Sequence, residues 1–236
     1  MRTIAILPVK SLGAAKQRLG GLVASGSRQT LARSMLSDVL AALTRVRRLD
    51  EIVVVTRDRT AQAVAARHGA RVLLEPDEAG HSEGALRGVR HALAGGAERV
   101  LLVPGDTPLL DPAELDELLA RGARDRLGAV VVPDRHGTGT NALLLAPPDA
   151  IVPSFGPGSR ERHASAAAAG GVAHVVEPLP SLALDVDTPE DLAALAGALA
   201  GRRGVAVSTR AALAELEGPS VRRAPNSSAR ASAARC

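Results

Sequence analysis

The chain alternates short apolar runs with longer segments in which apolar residues recur every three or four positions. The short runs are almost continuously Val, Ile and Leu, as in strands that are buried on both faces of a sheet. The longer segments are rich in Ala, Leu and Arg and have helical periodicity. This alternation predicts an α/β fold: one Rossmann-like domain with a mostly parallel sheet and helices on both faces.

Seven apolar runs are predicted to be strands: Thr3–Val9, Glu51–Thr56, Arg71–Leu74, Arg99–Pro104, Ala129–Pro133, Asn141–Ala146 and Val172–Val176. Six periodic segments are predicted to be helices: Ser27–Arg47, Thr60–His68, Glu83–Ala94, Pro112–Arg121, Ser159–Ala169 and Pro189–Leu199. Residues 201–217 have a weaker pattern that predicts a final strand and helix. Two helix starts are marked by a capping residue followed by proline, Asp111-Pro112 and Thr188-Pro189.

The charge is distributed unevenly along the chain. The formal net charge is +4, and the four arginines of residues 218–236, with no acidic residue among them, account for all of it, so residues 1–217 sum to zero. This last segment is rich in Ser, Ala, Pro and Arg, and is predicted to be a disordered basic tail after a domain of residues 1–217. It lacks the aromatic side chains on which bases stack, and we expect no nucleic acid partner.

The composition narrows the class of protein. Aliphatic side chains must fill the core, because the chain has no Trp or Tyr and Phe155 is its one aromatic residue. The sole cysteine, Cys236, excludes an intrachain disulfide and a cysteine-based zinc site. No apolar run approaches the ~18 residues of a membrane span, and the N-terminal pattern is that of a strand instead of a signal peptide. We therefore expect a cytoplasmic protein without a membrane partner.

The loop after the first strand, PVKSLGAAKQRLG, carries Lys10, Lys16 and Arg18. In open sheets of this kind, ligands bind outside the carboxyl ends of the strands. Lys10 and Lys16 are the only lysines among 29 basic residues, and a compact ammonium suits a single phosphate oxygen. With backbone N–H groups, the three cations form a candidate site for an anionic group. An ordinary solvated basic loop is the alternative.

Three aspartates stand at positions where a carboxylate could serve a ligand. Asp106 follows the fourth strand in VPGDTPLL, and Asp185 and Asp187 precede the last helix in LDVDTPEDL. Thr188 can cap that helix alone, and in an extended segment both aspartates project to the same side. Adjacent carboxylates are unfavourable unless a cation lies between them. The three are a candidate all-oxygen site for Mg²⁺, with turn formation as the alternative for Asp106.

Two glycine-rich loops complete the candidates. GTGTNALLL brings Thr140 and Asn141 to the mouth of a strand, and FGPGSRERH places Gly156, Gly158 and Ser159 before a helix. Backbone amides, a hydroxyl and a helix N-terminus together form an anion receptor, although the glycines could serve only as turn formers. The six histidines show no metal-ligand spacing, and none of them is assigned a role.

These motifs, in this order, resemble those of the guanylyltransferases of deazaflavin coenzyme biosynthesis, which act on phosphoenolpyruvate or 2-phospho-L-lactate. The resemblance covers residues 1–200, and its most specific parts are GTGTNALL and FGPGSRERH. It implies a GT-A-like nucleotidyltransferase that moves GMP from GTP to the phosphate of the acceptor and releases pyrophosphate. One segment departs from the family: Gly80-His81-Ser82-Glu83 stands where members usually have Gly-Leu-Asn.

The resemblance also implies residue roles, in three groups. Asp106, Asp185 and Asp187 are expected to bind Mg²⁺; Lys10 and Lys16, with Arg18, to hold the GTP phosphates; and Thr140, Gly156 and Ser159 to receive the carboxylate and phosphate of the acceptor. Lys10, Lys16 and Asp106 are the expected catalytic residues. The arginine-rich, lysine-poor composition favours phosphoenolpyruvate, the bacterial substrate. Alternatives are another acceptor, such as molybdopterin or a sugar phosphate, and a non-catalytic nucleotide-binding or RNA-binding protein.

Overall fold

The computed structural model describes residues 1–13, 16–21, 23–75 and 80–216. Over these residues the chain forms seven strands: β1 (Thr3–Pro8), β2 (Glu51–Thr56), β3 (Arg71–Leu74), β4 (Arg99–Leu102), β5 (Ala129–Pro133), β6 (Thr140–Leu145) and β7 (His174–Val176). The same residues form seven α-helices: α1 (Ser25–Leu43), α2 (Arg59–Arg67), α3 (His81–Ala94), α4 (Pro112–Arg124), α5 (Ser159–Ala169), α6 (Pro189–Leu199) and α7 (Val207–Leu216). None of the helices in this described part is long and apolar enough to cross a membrane. The tail predicted at residues 218–236 lies outside the described residues.

The strands form one mixed sheet in the order β3-β2-β1-β4-β6-β5-β7. Neighbouring strands are parallel except for β6, which runs antiparallel to both β4 and β5. The first residue of β6, Thr140, therefore lies opposite Pro133 at the edge where the parallel strands end. The register of this pair shifts by one residue between Val132 and Pro133. The predicted α/β class is confirmed, and the reversed β6 is a feature that apolar periodicity does not reveal.

Helices cover both faces of the sheet, as predicted. On one face, α1, α2 and α4 pack against strand residues such as Leu7 and Leu101. On the other face, α3 and α5 pack against Ile6 and Leu102. Side chains alternate along a strand, so burial on both faces accounts for the near-continuous apolar runs. A third apolar cluster, which includes Met35 of α1, joins α6 and α7 to that helix.

The two marked helix starts are confirmed by their capping hydrogen bonds. At the start of α4, Asp111 Oδ1 accepts from the Ala113 N–H at 2.8 Å. At the start of α6, Thr188 and Asp191 form a reciprocal capping box. Asp191 Oδ2 also accepts from the backbone N–H of Asp187 at 3.0 Å, so this cap holds the segment that carries the candidate aspartates.

One predicted helix end and one predicted strand are wrong, and both differences have a physical cause. α1 ends four residues earlier than predicted, and the N–H groups of Arg47 and Arg48 donate instead to Asp116 of α4 at 3.2 and 3.0 Å. The strand predicted after α6 does not form, because Gly201 and Gly204 adopt positive φ values of 75° and 78° and the chain turns before α7. The remaining ends lie within three residues of their predicted positions.

Candidate active site

Two cavities adjoin at the edge of the sheet where β1 and β4 end. The first, of about 390 Å³, is lined by Lys10 and Lys16 and is called the lysine cavity here. The second, of about 430 Å³, is lined by Thr140 and the glycine-rich loop and is called the threonine cavity. Of the residues that the structure describes, four line both cavities: His81, Pro104, Asp106 and Asp187. Their position agrees with the rule that ligands bind beyond the carboxyl ends of strands.

The side chain of Lys16 lies between two of the candidate aspartates. Its Nζ donates to Asp187 Oδ1 at 2.9 Å and also to Asp106 Oδ2. The Lys16 side chain is 6% exposed, whereas those of Asp106 and Asp187 are 26% and 50% exposed. Burial alone would lower the pKa of Lys16, but the attraction of the two carboxylates outweighs it and raises the pKa above its usual value. Lys16 is therefore a charged counterion of Asp106 and Asp187.

Asp185 completes a group of three carboxylates. The residues on either side of it are buried in the core with α6, and Asp185 and Asp187 both line the threonine cavity. Asn141 Nδ2 donates to Asp185 Oδ1 at 3.1 Å. Burial and then the nearby Asp106 carboxylate raise the pKa of Asp185 above its usual value. A further positive charge near these three carboxylates would therefore be stabilising.

The three carboxylates match the ligand chemistry of Mg²⁺, which prefers hard oxygen ligands. They line one cavity, and a divalent cation would relieve their mutual repulsion. Among the described residues, no three acidic, histidine or cysteine side chains already stand in metal-binding geometry. The Lys16 ammonium lies between Asp106 and Asp187. The residues fit Mg²⁺ in chemistry and charge, provided that Lys16 moves aside.

The three candidate cations do not converge on one point. Lys10 is exposed and lines the lysine cavity together with Lys16. Arg18 lines the threonine cavity instead. The structure thus places Lys10 and Lys16 where one anion could meet both of them, and places Arg18 on the side of Thr140.

The three candidate acceptor residues, Thr140, Gly156 and Ser159, all line the threonine cavity. Gly156 and Gly158 have φ values of 108° and 70°, a region that favours glycine. Ser159 is the buried first residue of α5, and its N–H donates to the Gly156 carbonyl at 3.0 Å. From α5, Arg162 donates to three carbonyl oxygens of the same loop, two of them at 3.0 and 3.2 Å. The loop is therefore fixed beside Thr140.

His163, the last residue of the FGPGSRERH motif, holds Thr140, a role that its position in the motif does not reveal. His163 of α5 is 0% exposed, and its Nδ1 lies 3.0 Å from Thr140 Oγ1. Its Nε2 accepts from the Ser154 N–H at 2.8 Å. Burial and then the nearby Arg162 lower the pKa of His163 to about 4. His163 is therefore uncharged at neutral pH and connects β6, the glycine-rich loop and α5.

Two further residues position the site. His81 begins α3, lines both cavities and contacts the edge of Phe155, with ring centroids 5.0 Å apart. Asp58 caps α2, and its other oxygen accepts from the Leu12 N–H at 2.9 Å, which anchors the loop of Lys10. The capping position of Asp58 could have been found from the sequence, but its contact with Leu12 could not.

The sequence matches known guanylyl transferases over most of its length. The family model described as "Guanylyl transferase CofC like" matches residues 3–203. A phosphoenolpyruvate guanylyltransferase from Conexibacter woesei is 50% identical over 92% of this chain and 97% of its own length. One from Sphaerobacter thermophilus is 43% identical over 84% of this chain and 94% of its own length.

Solved structures give the same fold at low identity. A protein from Desulfovibrio desulfuricans, described as a nucleotide-diphospho-sugar transferase, superposes with a TM-score of 0.75 at 18% identity, over 92% of this chain and 96% of that one. A nucleotidyl transferase from a Methanothermobacter species superposes with a TM-score of 0.61 at 17% identity, over 84% of this chain and 98% of that one. At these identities the likeness shows the fold alone, which is that of nucleotidyltransferases.

Proposed function

The chain belongs to the CofC-like guanylyl transferase family, and on this premise we propose that it transfers GMP from GTP to the phosphate of phosphoenolpyruvate and releases pyrophosphate. It is a nucleotidyltransferase, as its family is. The resemblance of its motifs implies that the product enters deazaflavin coenzyme biosynthesis.

One observation carries the proposal: two anion-receptive cavities meet at a shared pair of carboxylates. Lys10 and Lys16 line one cavity, and the hydroxyls and glycine-rich loop around Thr140 line the other. Asp106 and Asp187 stand at the junction. A transfer between two phosphorylated reactants requires two neighbouring anion sites with positive charge at their contact. A metal ion held by Asp106 and Asp187 would place that charge between the two cavities.

The proposed reaction is a single in-line displacement. A phosphate oxygen of phosphoenolpyruvate bonds to the α-phosphorus of GTP. The bond from that phosphorus to the oxygen bridging to the β-phosphorus breaks, and its electron pair leaves with pyrophosphate. The attacking phosphate is already ionised, so no general base is needed, and catalysis consists mainly of alignment and charge neutralisation.

The residues divide this work by cavity. Lys10 and Lys16 would neutralise the nucleotide phosphates in the lysine cavity. Thr140, Gly156 and Ser159 would hold the carboxylate and phosphate of the acceptor in the threonine cavity. The motif of Arg18 suggested a contact with the GTP phosphates. Because Arg18 lines the threonine cavity, it would instead contact the acceptor.

The carboxylates would hold the metal ion. Asp106, Asp185 and Asp187 are the residues that fit Mg²⁺, which when bound supplies charge stabilisation for nucleotide phosphates. Release of Lys16 from Asp106 and Asp187 would free its ammonium for a phosphate oxygen of the nucleotide in the lysine cavity.

The test is pyrophosphate release from GTP and Mg²⁺ with phosphoenolpyruvate, 2-phospho-L-lactate or no acceptor, repeated with ATP and CTP. We expect release with GTP that depends on phosphoenolpyruvate. Release that depends only on 2-phospho-L-lactate would correct the acceptor. Acceptor-independent release, or none from folded protein in any combination, would refute the proposed function, and a preference for CTP or ATP would refute the guanylyl donor.

A matched pair of variants tests the site. Asp106→Asn removes a carboxylate from the junction of the cavities and should abolish pyrophosphate release. Asp111→Asn makes the same change five residues later, at a helix cap where asparagine is equally competent, and should retain activity. Normal turnover by folded Asp106→Asn would overturn the role given to the carboxylate group.

A further inference from the structure

The hydrogen bonds of His163 settle which ring nitrogen carries its proton. The Ser154 backbone N–H can only donate, so the Nε2 atom that it contacts at 2.8 Å must accept and carries no proton. A neutral imidazole has its single proton on the other nitrogen. Nδ1 of His163 is therefore protonated and donates to Thr140 Oγ1, 3.0 Å away.

This tautomer fixes the direction of the Thr140 hydroxyl. A threonine hydroxyl has one hydrogen to donate and two lone pairs that accept. His163 uses a lone pair, so the hydroxyl hydrogen is left for another acceptor. Because Thr140 lines the threonine cavity, its hydroxyl hydrogen is available to donate to a ligand that binds there. The opposite tautomer would consume the hydrogen and present lone pairs, which repel an anion.

We infer that His163 is a positioning residue that makes Thr140 a dedicated hydrogen-bond donor to an anionic oxygen of the acceptor. The identity of the acceptor rests on the proposed function, but the donor role of Thr140 does not. Through Ser154, the same imidazole fixes the glycine-rich loop against this hydroxyl. The two halves of the threonine cavity, the start of β6 and the loop before α5, are thus held together by one uncharged ring.

The environment of His163 supports a neutral ring with a fixed orientation. The ring is fully buried and packs edge-on against Phe155, with centroids 5.2 Å apart and an interplanar angle of 72°. Burial and Arg162 keep its pKa far below neutrality. His163 therefore does not contribute positive charge to the cavity, and its effect on a ligand passes through Thr140.

Two substitutions separate the hydrogen bonds of His163. His163→Asn places an amide N–H near the position of Nδ1 and preserves the donor to Thr140. His163→Gln places an amide oxygen near Nε2, preserves the acceptor for Ser154 and removes the donor to Thr140. We expect His163→Gln to raise KM for phosphoenolpyruvate by about tenfold or more, the effect of a lost hydrogen bond to a charged group, with KM for GTP unchanged. His163→Asn should recover most of this loss.

Thr140 supplies the decisive comparison. Thr140→Val removes the hydroxyl, and if His163 acts through it, the double variant His163→Gln, Thr140→Val should have the same KM for phosphoenolpyruvate as Thr140→Val alone. The inference is overturned if the effects of the two substitutions on KM for phosphoenolpyruvate multiply in the double variant. It is also overturned if the KM values for phosphoenolpyruvate and GTP rise in parallel, because that would indicate a merely structural role. His174→Gln on β7, outside both cavities, is the matched control and should be silent.

Nitrogen-15 NMR of the histidine rings in the wild-type protein tests the tautomer without any variant. A neutral ring with its proton on Nδ1 supports the inference, and a proton on Nε2 overturns it. The two proposals fail in different ways. No turnover by wild type with any acceptor refutes the proposed function and leaves the NMR result standing. Normal turnover by His163→Gln with an unchanged KM for phosphoenolpyruvate refutes the role of His163 and leaves the proposed function intact.

Discussion

Lys16 is the counterion of a carboxylate group, and its removal should cost stability that a divalent cation can restore. Lys16→Met keeps an aliphatic side chain and removes the ammonium between Asp106 and Asp187. Loss of one partner costs about 3–5 kcal/mol for a fully buried ion pair and ~0–1 kcal/mol for an exposed one. Because Lys16 is buried while its partners are partly exposed, we expect the free energy of unfolding to fall by about 2 kcal/mol without divalent ions.

Mg²⁺ should recover much of this loss in the variant. An ion present at about ten times its dissociation constant stabilises the folded state by about 1.4 kcal/mol. Wild type should gain less, because the Lys16 ammonium already lies between two of the three carboxylates. The difference between the two responses to Mg²⁺ is therefore the specific signature of a shared cation position, and it does not depend on activity.

The assay is urea unfolding followed by far-ultraviolet circular dichroism, because the chain has no Trp or Tyr for fluorescence. With a slope of about 2 kcal/mol per molar urea, the midpoint should fall by about 1 M in Lys16→Met. Lys10→Met removes the same charge from an exposed position on the same loop and should change stability by less than about 0.5 kcal/mol. Equal stabilisation of wild type and Lys16→Met by Mg²⁺, at matched ionic strength, would refute the shared position.

Three further predictions follow from burial and packing. Asp185→Asn removes the carboxylate whose pKa is raised by burial and by the neighbouring carboxylates. Urea unfolding should therefore show unchanged or higher stability, while pyrophosphate release is lost. A large loss of stability would contradict the proposed repulsion between the carboxylates. The unfolded chain binds a proton at His163 below its usual pKa of 6.5, whereas the native ring does so only near 4, so the free energy of unfolding should fall by roughly 3 kcal/mol as the pH falls through this window. Subtracting the same profile of His163→Asn cancels the contribution of Asp185 and should isolate this slope, and identical profiles would contradict the burial of a neutral ring. Gly88→Ala would place a Cβ 2.3 Å from the Ile6 side chain and should destabilise the fold by about 1–3 kcal/mol. Gly197→Ala, which meets no atom of the described residues within 4 Å, should be neutral or stabilising, and equal effects of the two substitutions would contradict the close packing of α3.

The bounds of the strands and helices were predictable where burial or capping produces a recognisable pattern in the local sequence. β2, β3 and β5 begin and end as predicted, because each is an apolar run that is bounded by polar or turn-forming residues. α6 begins as predicted because Thr188 caps it and proline follows. The end of α1 was not predictable, since it depends on Asp116, an acceptor that lies about seventy residues away in the chain.

The site was predictable as a set of motifs but not as a network of contacts. The spacing of Asp185 and Asp187 and the glycine-rich loop pointed to the edge of the sheet where the threonine cavity lies, because each follows or precedes a regular element. The FGPGSRERH motif includes His163, but its role could not be predicted, because its partners, Thr140 and Ser154, lie outside that motif. The separation of Arg18 from the lysines likewise depends on how the loop folds.

The length of the loop before β6 predicts the direction of that strand, although apolar periodicity does not. Only residues 134–139 separate β5 from β6, whereas a parallel crossover needs about a dozen residues or more. An antiparallel pair is therefore required by the connection itself. As a consequence, β6 presents its first residues, and not its last, at the edge where the ligand cavities lie.

The irregularity at the start of β6 completes the site. Strict alternation would place Asn141 on the opposite face from Ala142, yet Asn141 donates to the Leu182 carbonyl at 2.7 Å, and Leu182 packs in the same core cluster as Ala142. The shift of register opposite Pro133 supplies the extra residue that breaks the alternation, as a β-bulge does beside an active site. Thr140 is thereby turned to the face of α5 and His163. Beyond this point β6 is apolar and buried on both faces, so Thr140 and Asn141 are the polar residues of the strand, and their hydrogen bonds join it to α5 and to the segment of Leu182.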